Sequence, residues 1–404
     1  MATTDIAFVI SGDLHRNIRA LKQIRSLSEG GYSVKVFHLG GNAVKTGLPD
    51  SVSEEIVSVS PGQGPRFFHR LHRSFLHALS GQSFRLFHAS DLYVLSACAS
   101  AAARFETLYS FDSRELYAHV VSTVRRPWVR WYWSRLEHSL LKDSACIFTV
   151  SDSIADHLSH RYHINRPIVV HNVPETGVHA HIDEQNGSAE FGDEHKLLDE
   201  HNRRQTLSVL LENRGIPTGL PTLVHLGQMK PDRGCERLIE AMTLVHDAQL
   251  IFLGYGPLQQ HLEQMTALKN VQNRVHFVPP VGPREVNVAL EGATVGVTML
   301  EDSCLNHRYA LPNKLFDYIN AGLPILSSNL QEVSRVVNGH HLGKTADPSD
   351  FRTIASVINE MICSADLPTW SKNASIASET FSWENASQRF MLEINRVLSQ
   401  SLSS

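Results

Sequence analysis

Short apolar segments recur along this chain in two separate series, and that repetition constrains the fold more than any other feature. The first series runs IAFVI, SVKVFHL, RLFHA, ETLYSF, CIFTV and PIVVHNV; the second runs TLVHLG, QLIFLG, RVHFVP, TVGVTML and PILSS. Stretches with helical periodicity lie between them, such as 17–28, 235–245 and 257–269. Continuous apolar strands alternating with helices predict parallel sheets with helices on both faces. A stretch rich in Gly, His, Asp and Glu divides the series and carries no apolar period, so it reads as a linker. The organisation expected is an N-terminal α/β domain over 1–174, a linker over 175–205, a second α/β domain over 206–382 and a C-terminal helix over 383–404. Two such domains are expected to face each other across a cleft, with ligands at the carboxyl ends of the strands.

At 404 residues each half is long enough to bury its own core, and the formal net charge of −4 gives no overall bias toward nucleic acid. The five cysteines are scattered without a C-x-x-C pair, which argues against a disulfide framework and fits a reducing, cytoplasmic setting. The apolar run IAFVI near the N-terminus lacks a basic flank and reads as a strand rather than a signal peptide. No stretch approaches the roughly 20 apolar residues needed to span a bilayer. Peripheral contact at the inner membrane face was weighed for 64–79, where Arg66, Arg70 and Arg73 interleave with Phe67, Phe68, Leu71 and Phe75. A surface helix turning its apolar face to the core is the preferred reading there, and core packing also for Trp128, Trp131 and Trp133.

Three stretches carry chemistry. In Pro312-Asn-Lys-Leu-Phe-Asp-Tyr-Ile-Asn-Ala-Gly-Leu-Pro-Ile325 a helix is expected to start near Asn313 and to stop at Gly322 and Pro324. Its first N–H groups suit phosphate oxygens, and Asp317, one turn in, suits ribose hydroxyls; a plain helix with a capping Asn is the bland alternative. In Leu226-Gly-Gln-Met-Lys-Pro-Asp-Arg-Gly234 a basic loop joins strand to helix. Gly227 allows close approach of an anion, and Lys230 and Arg233 can neutralise a diphosphate. In Leu253-Gly-Tyr-Gly-Pro257, Gly254 and Gly256 resemble a dinucleotide fingerprint without its third glycine, and a tight turn is the better reading. Gly343-Lys344-Thr345 is not a P-loop, because Asn338 stands where the spacing demands glycine.

In this order, LGQMKPDRG, LGYGP and NKLFDYINAGLPI resemble the donor domain of the family-4 retaining glycosyltransferases. FHASDLYVL, YSFDSREL and TVSDSIADHL are similar to that family's N-terminal strand ends. The resemblance implies the GT-B architecture, two Rossmann-like domains with a nucleotide-sugar donor held mainly by the C-terminal one. It implies that Arg233 contacts the donor diphosphate and that Asn313, Lys314 and Leu315 hold phosphate through backbone N–H groups. It implies that Asp317 binds ribose, that Gly254 and Gly256 underlie the nucleotide, and that backbone near 278–281 holds the base. Asp112, Glu115 and Asp91 are the N-terminal candidates for positioning an acceptor, each of which also reads as a strand-end acid. The chain departs from the family pattern at Tyr309, where the first Glu of the Glu-x7-Glu element is usual, at Gln228 for Arg, and at Arg114 for His. Glu301, Asp302 and Asn306 are candidates to compensate for the first.

The implied reaction is retaining transfer of a sugar to a hydroxyl acceptor in polysaccharide, glycolipid or glycoconjugate synthesis. The nucleotide sugar enters as substrate, so no cofactor is expected. No D-x-D stands in the sequence, and no metal is expected; His179, His181, His195 and His201 are too irregularly spaced to suggest a site. The rival readings are a nucleotide-sugar 2-epimerase and a non-catalytic partner subunit, the latter favoured by Tyr309.

Overall fold

The computed structural model describes residues 4–41, 47–175 and 205–400, so the expected linker lies almost wholly outside the described residues. The chain divides into two compact units: Met1–Asn172 with Cys304–Asn306 and Asn385–Ser404, and Val173–Ser303 with His307–Glu384.

The first unit holds seven parallel strands in the order β3-β2-β1-β4-β5-β6-β7. These are β1 (Ile6–Ile10), β2 (Val34–His38), β3 (Val52–Ile56), β4 (Leu86–Ala89), β5 (Leu108–Ser113), β6 (Cys146–Thr149) and β7 (Ile168–Val169). The second holds six in the order β10-β9-β8-β11-β12-β13. They are β8 (Thr222–Leu226), β9 (Gln249–Leu253), β10 (Val275–Val278), β11 (Val295–Thr298), β12 (Ile325–Ser328) and β13 (Gly343–Ala346). Both sheets reverse direction beside their first strand, at β1/β4 and at β8/β11. An open parallel sheet makes its binding crevice at such a switch point.

The central strands are buried along their whole length, β1, β8 and β9 at every residue, which is why they read as unbroken apolar runs. Edge strands β3 (VSEEI) and β13 (GKTA) are half polar and escape that pattern. The Gly343-Lys344-Thr345 triplet belongs to β13, with Lys344 paired to Glu360 at 2.6 Å, so it forms no phosphate loop.

Helix Gly64–Leu79 turns Leu71, Phe75 and Leu79 inward, and Phe68 stacks on Tyr93 at 5.1 Å and meets Trp133 edge-on at 4.9 Å. Its apolar face is therefore occupied within the unit, and no membrane contact through 64–79 is supported. The expected core packing of the tryptophans holds only for Trp133, which is 6% exposed; Trp128 is 83% and Trp131 62% exposed. The C-terminal helix Trp383–Gln400 joins the first unit from Asn385 onward. Phe390 is wholly buried there, 4.9 Å from Phe148, and Arg85 donates to the carbonyl of Leu398.

Candidate functional site

The carboxyl end of β8 is where the second unit gathers its chemistry. Gly227 follows the strand at φ +95°, a conformation costly for any residue with a Cβ, and its N–H donates to Leu253 O at 2.8 Å. Met229 N then donates to Tyr255 O at 2.9 Å, and Leu258 N to Met229 O at 3.1 Å. The two glycine-bearing loops after β8 and β9 are thereby laced together. A Cβ on Gly254 would lie 2.1 Å from Gly227 O, and one on Gly256 2.1 Å from Met229 O. Close loop-to-loop packing accounts for glycine at both positions.

The basic loop is tied from its other side. Gly234, at φ +69°, opens helix Cys235–Met242, and a Cβ there would meet Met299 O at 2.2 Å. Glu301 N donates to Asp232 O at 3.1 Å, and Ser303 Oγ donates to Asp232 Oδ1. The Glu301 carboxylate accepts from Gly234 N; burial pushes its pKa up, and Asp232 and Glu236 add to that. Asp302 pairs with Arg308 at 2.8 Å, and Asn306, which belongs to the first unit, accepts from Leu116 N at 2.8 Å. All three residues considered as substitutes for the missing acid at Tyr309 thus have structural partners.

Helix Asn313–Asn320 is placed by its apolar stripe: Leu315, Phe316 and Ile319 are buried. Tyr318 fixes its register. The hydroxyl accepts from Leu226 N at 2.9 Å and lies within donating distance of Val224 O (2.9 Å) and Val297 O (3.1 Å). It therefore bridges β8 and β11 at the switch point. Gly296 makes room for the ring, since a Cβ there would sit 2.3 Å from it. The N-cap is Pro312 rather than Asn313, and no side chain caps the helix, so Asn313 is its first residue. The opening N–H groups of such a helix carry its positive dipole end.

Lys314 comes in from this first turn, its Nζ 2.8 Å from His225 Nε2. His225 is wholly buried at the penultimate position of β8, with Cys235 Sγ 3.7 Å from the same nitrogen. Burial depresses the His225 pKa far below the usual range, and Lys314 and Arg233 depress it further. The imidazole is therefore neutral and accepts from the lysine. Burial also lowers Lys314 itself, to about 7, with Arg233 and Lys230 adding repulsion against the partial relief from Cys235 and Asp317. His307, whose Nδ1 lies 3.1 Å from Glu301 O, is lowered by burial and then by Arg233, with a smaller push from Lys230. Lys230, Arg233 and Lys314 thus gather beside a helix N-terminus, with His225 and His307 as uncharged neighbours, an arrangement suited to a polyanion. Asp317 lies within electrostatic reach of Lys314. Of the expected site residues, Gly227, Lys230, Arg233, Lys314 and Asp317 meet here; Leu315 does not serve as expected, because its N–H donates to Pro312 O at 2.9 Å and its side chain is buried in the apolar stripe. His225 and His307 were missed: the signal for the first was a lone polar residue inside an apolar strand.

The N-terminal candidates sit differently. Asp112 is wholly buried, its two oxygens accepting from Arg19 (2.7 and 2.9 Å) and from Gln23 (2.9 Å). Burial would raise its pKa, but the Arg19 guanidinium more than offsets that and holds it below the carboxylate norm. A carboxylate so enclosed anchors β5 to helix Ile18–Glu29. Asp91 caps helix Leu92–Arg104 by accepting from Tyr93 N at 3.0 Å, and also accepts from Ser11 N and Oγ. Arg114 reaches to 3.7 Å from it, in the place expected for His, and hydrogen-bonds Tyr117. Of the three acids only Glu115 is exposed.

Comparison with known proteins accords with this geometry. Residues 220–364 match the model described as "Glycosyl transferases group 1", and residues 17–173 that described as "Glycosyl transferase 4-like domain". No curated protein matches the sequence. The structure is similar to sucrose-phosphate synthase from Thermosynechococcus elongatus, with a TM-score of 0.78 at 15% identity, covering 98% of this chain and 100% of that one. A glycosyltransferase from Rickettsia africae gives 0.71 at 12% identity, with 98% and 99% covered. Anabaena HepE in complex with UDP and glucose gives 0.69 at 13% identity, with 97% and 100% covered.

Proposed function

We propose, from the premise that this chain is a glycosyltransferase of GT-B architecture, with a 4-like domain in its first half and a group 1 domain in its second, that it transfers a sugar with retention from a UDP- or GDP-sugar to a hydroxyl acceptor. The observation that carries the donor reading is the convergence of Lys230, Arg233 and Lys314 on the first turn of helix Asn313–Asn320. A diphosphate carries charge opposite to that of Lys230, Arg233 and protonated Lys314. HepE is seen with UDP, which supports a nucleotide donor here.

In the transfer, a bond forms between the acceptor oxygen and the anomeric carbon as the bond from that carbon to the diphosphate oxygen breaks. The acceptor proton passes to the departing phosphate, so the protein's task is to stabilise charge growing on that phosphate. Arg233, Lys230, protonated Lys314 and the helix N–H groups do this best when the charge is greatest, which lowers the barrier rather than merely tightening binding. Glu115, the exposed one of the N-terminal acids, is the residue we assign to orienting an acceptor; Asp112 would act only through Arg19 and the strand it anchors. The acceptor belongs to a glycan, a lipid-linked sugar or a small molecule.

The reading is tested by thermal shift and calorimetry with UDP, GDP, ADP and their sugars. One nucleotide should stabilise the wild type selectively, and Arg233→Ala should weaken its binding roughly 10- to 100-fold, the loss of one or two charge-assisted bonds. Retention is tested by NMR of the anomeric configuration of the product. Absence of any nucleotide shift in a well-folded sample would transfer the weight to a non-catalytic subunit. Release of an altered nucleotide sugar without a glycoside would point to the epimerase.

A further inference from the structure

Three donor groups of the first unit converge on one point that the transfer reaction does not use. His15 sits in the turn Leu14–Arg16 just after β1, held by Asp13, whose carboxylate accepts from His15 N at 3.0 Å. His38 ends β2, and Glu54 lies in β3, where the register sets it against Val36. His15 Nε2 is 3.2 Å and His38 Nε2 3.5 Å from the same oxygen, Glu54 Oε2. The ligating atoms of the three residues all lie within 4.8 Å of one another, the one such group of His, Cys, Asp and Glu among the described residues. The imidazoles are sheltered, with side-chain exposures of 6% and 2%.

The surroundings of His38 make this convergence informative. Its Nδ1 lies 2.9 Å from Leu39 O and accepts from Leu14 N at 3.3 Å, so backbone groups grip that side of the ring and turn Nε2 toward Glu54. Its Nε2 is buried, without a hydrogen-bond partner, and faces a carboxylate oxygen 3.5 Å away. His15 Nε2 reaches the same carboxylate oxygen, so a cation at the shared point would be held by all three side chains. A ring N–H held by a backbone carbonyl is also how metal-bound histidines are commonly oriented.

We propose that His15 Nε2, His38 Nε2 and Glu54 Oε2 bind one divalent transition-metal ion, zinc by its donor set. Tetrahedral zinc with bonds of about 2.0–2.1 Å puts its ligand atoms about 3.3 Å apart. The two nitrogen-to-oxygen spacings already fit, and the two nitrogens lie within 4.8 Å of each other. Two histidines and a glutamate leave a fourth position for water. The ion would link the loop after β1, the end of β2 and the sparsely buried edge strand β3, close beside the β1/β4 switch point. No step of the proposed transfer runs through it, so this inference stands or falls separately from the donor reading.

The test uses the untagged full chain, stripped with a chelator and titrated with zinc or cobalt in equilibrium dialysis. The wild type should bind one equivalent and rise in Tm with zinc. His38→Gln and Glu54→Gln should each bind at least about tenfold more weakly and lose the Tm response. Glu54→Gln keeps shape and volume, so it carries the test if His38→Gln fails to fold by circular dichroism. A variant with His179, His181, His195 and His201 all changed to Asn should bind as the wild type does. Undiminished binding in His38→Gln and Glu54→Gln, loss of binding in the fourfold variant, or no stoichiometric uptake by the wild type would each overturn the proposal.

Discussion

The two units share the same strand order through their first six strands and treat charge differently at their switch points. At the strand ends of the first, acids meet bases at close range: Asp112 with Arg19, Asp5 with Arg85, Asp91 with Arg114. In the second, like charges are gathered at β8/β11, and Lys314 is driven down to about 7 by burial and by its cationic neighbours. A fold therefore does not dictate an electrostatic design. Close acid–base pairs stabilise the scaffold, whereas neighbouring cations lower one another's protonation, the arrangement on which the proposed donor site rests.

Substituting one partner of the tightest pair probes the contrast most severely. Asp112→Ala leaves the Arg19 guanidinium buried without its carboxylate and should cost roughly 3–5 kcal/mol in urea unfolding. A loss under about 1 kcal/mol would show that the pairing does not stabilise the first unit. In the second unit Tyr318→Phe should cost about 1–3 kcal/mol, because Leu226 N loses its buried acceptor. An unchanged midpoint would mean that packing alone holds helix Asn313–Asn320.

Glu137 breaks the pattern of the first unit, since it is buried with Tyr162 OH donating at 2.6 Å rather than with a base. Burial lifts its pKa from 4.5 to about 7, against a lowering by Tyr162. A raised acid means that the folded state keeps a proton the unfolded chain has lost, so stability falls as pH rises between those two values. Glu137→Gln should stabilise the protein by about 3 kcal/mol at pH 8 and leave it unchanged near pH 4. Equal effects at both pH values would place the cause elsewhere than in ionisation. The smallest effect expected is on protons. Because a bound diphosphate favours charged Lys314, nucleotide binding at pH 8 should take up a large fraction of one proton, at most about one. Calorimetry in two buffers of different ionisation enthalpy measures this, and identical binding enthalpies would remove Lys314 from the charge cluster's function.

The interior strands and the helix start at Pro312-Asn313 were legible because burial on both faces demands unbroken apolar runs, and because proline and glycine restrict the backbone locally. The edge strands β3 and β13 were not, since one exposed side allows VSEEI and GKTA to look like loops. Lys230 and Arg233 stood out as local basic residues after a strand. Their joining to His225, and the burial that depresses Lys314, came only from the packing of helix Asn313–Asn320 on β8.

By itself, then, the sequence determined two parallel-sheet domains and a basic loop beside a phosphate-suited helix, all set by periodicity and backbone restriction within about a dozen neighbouring residues. The tertiary structure decided which charges are partners. It enclosed Asp112 with an arginine 93 positions away, returned the C-terminal helix to the first unit, and brought His15, His38 and Glu54 to one point. The physical reason is that charge and burial act through space: a residue's protonation and its role follow from neighbours that chain order does not reveal.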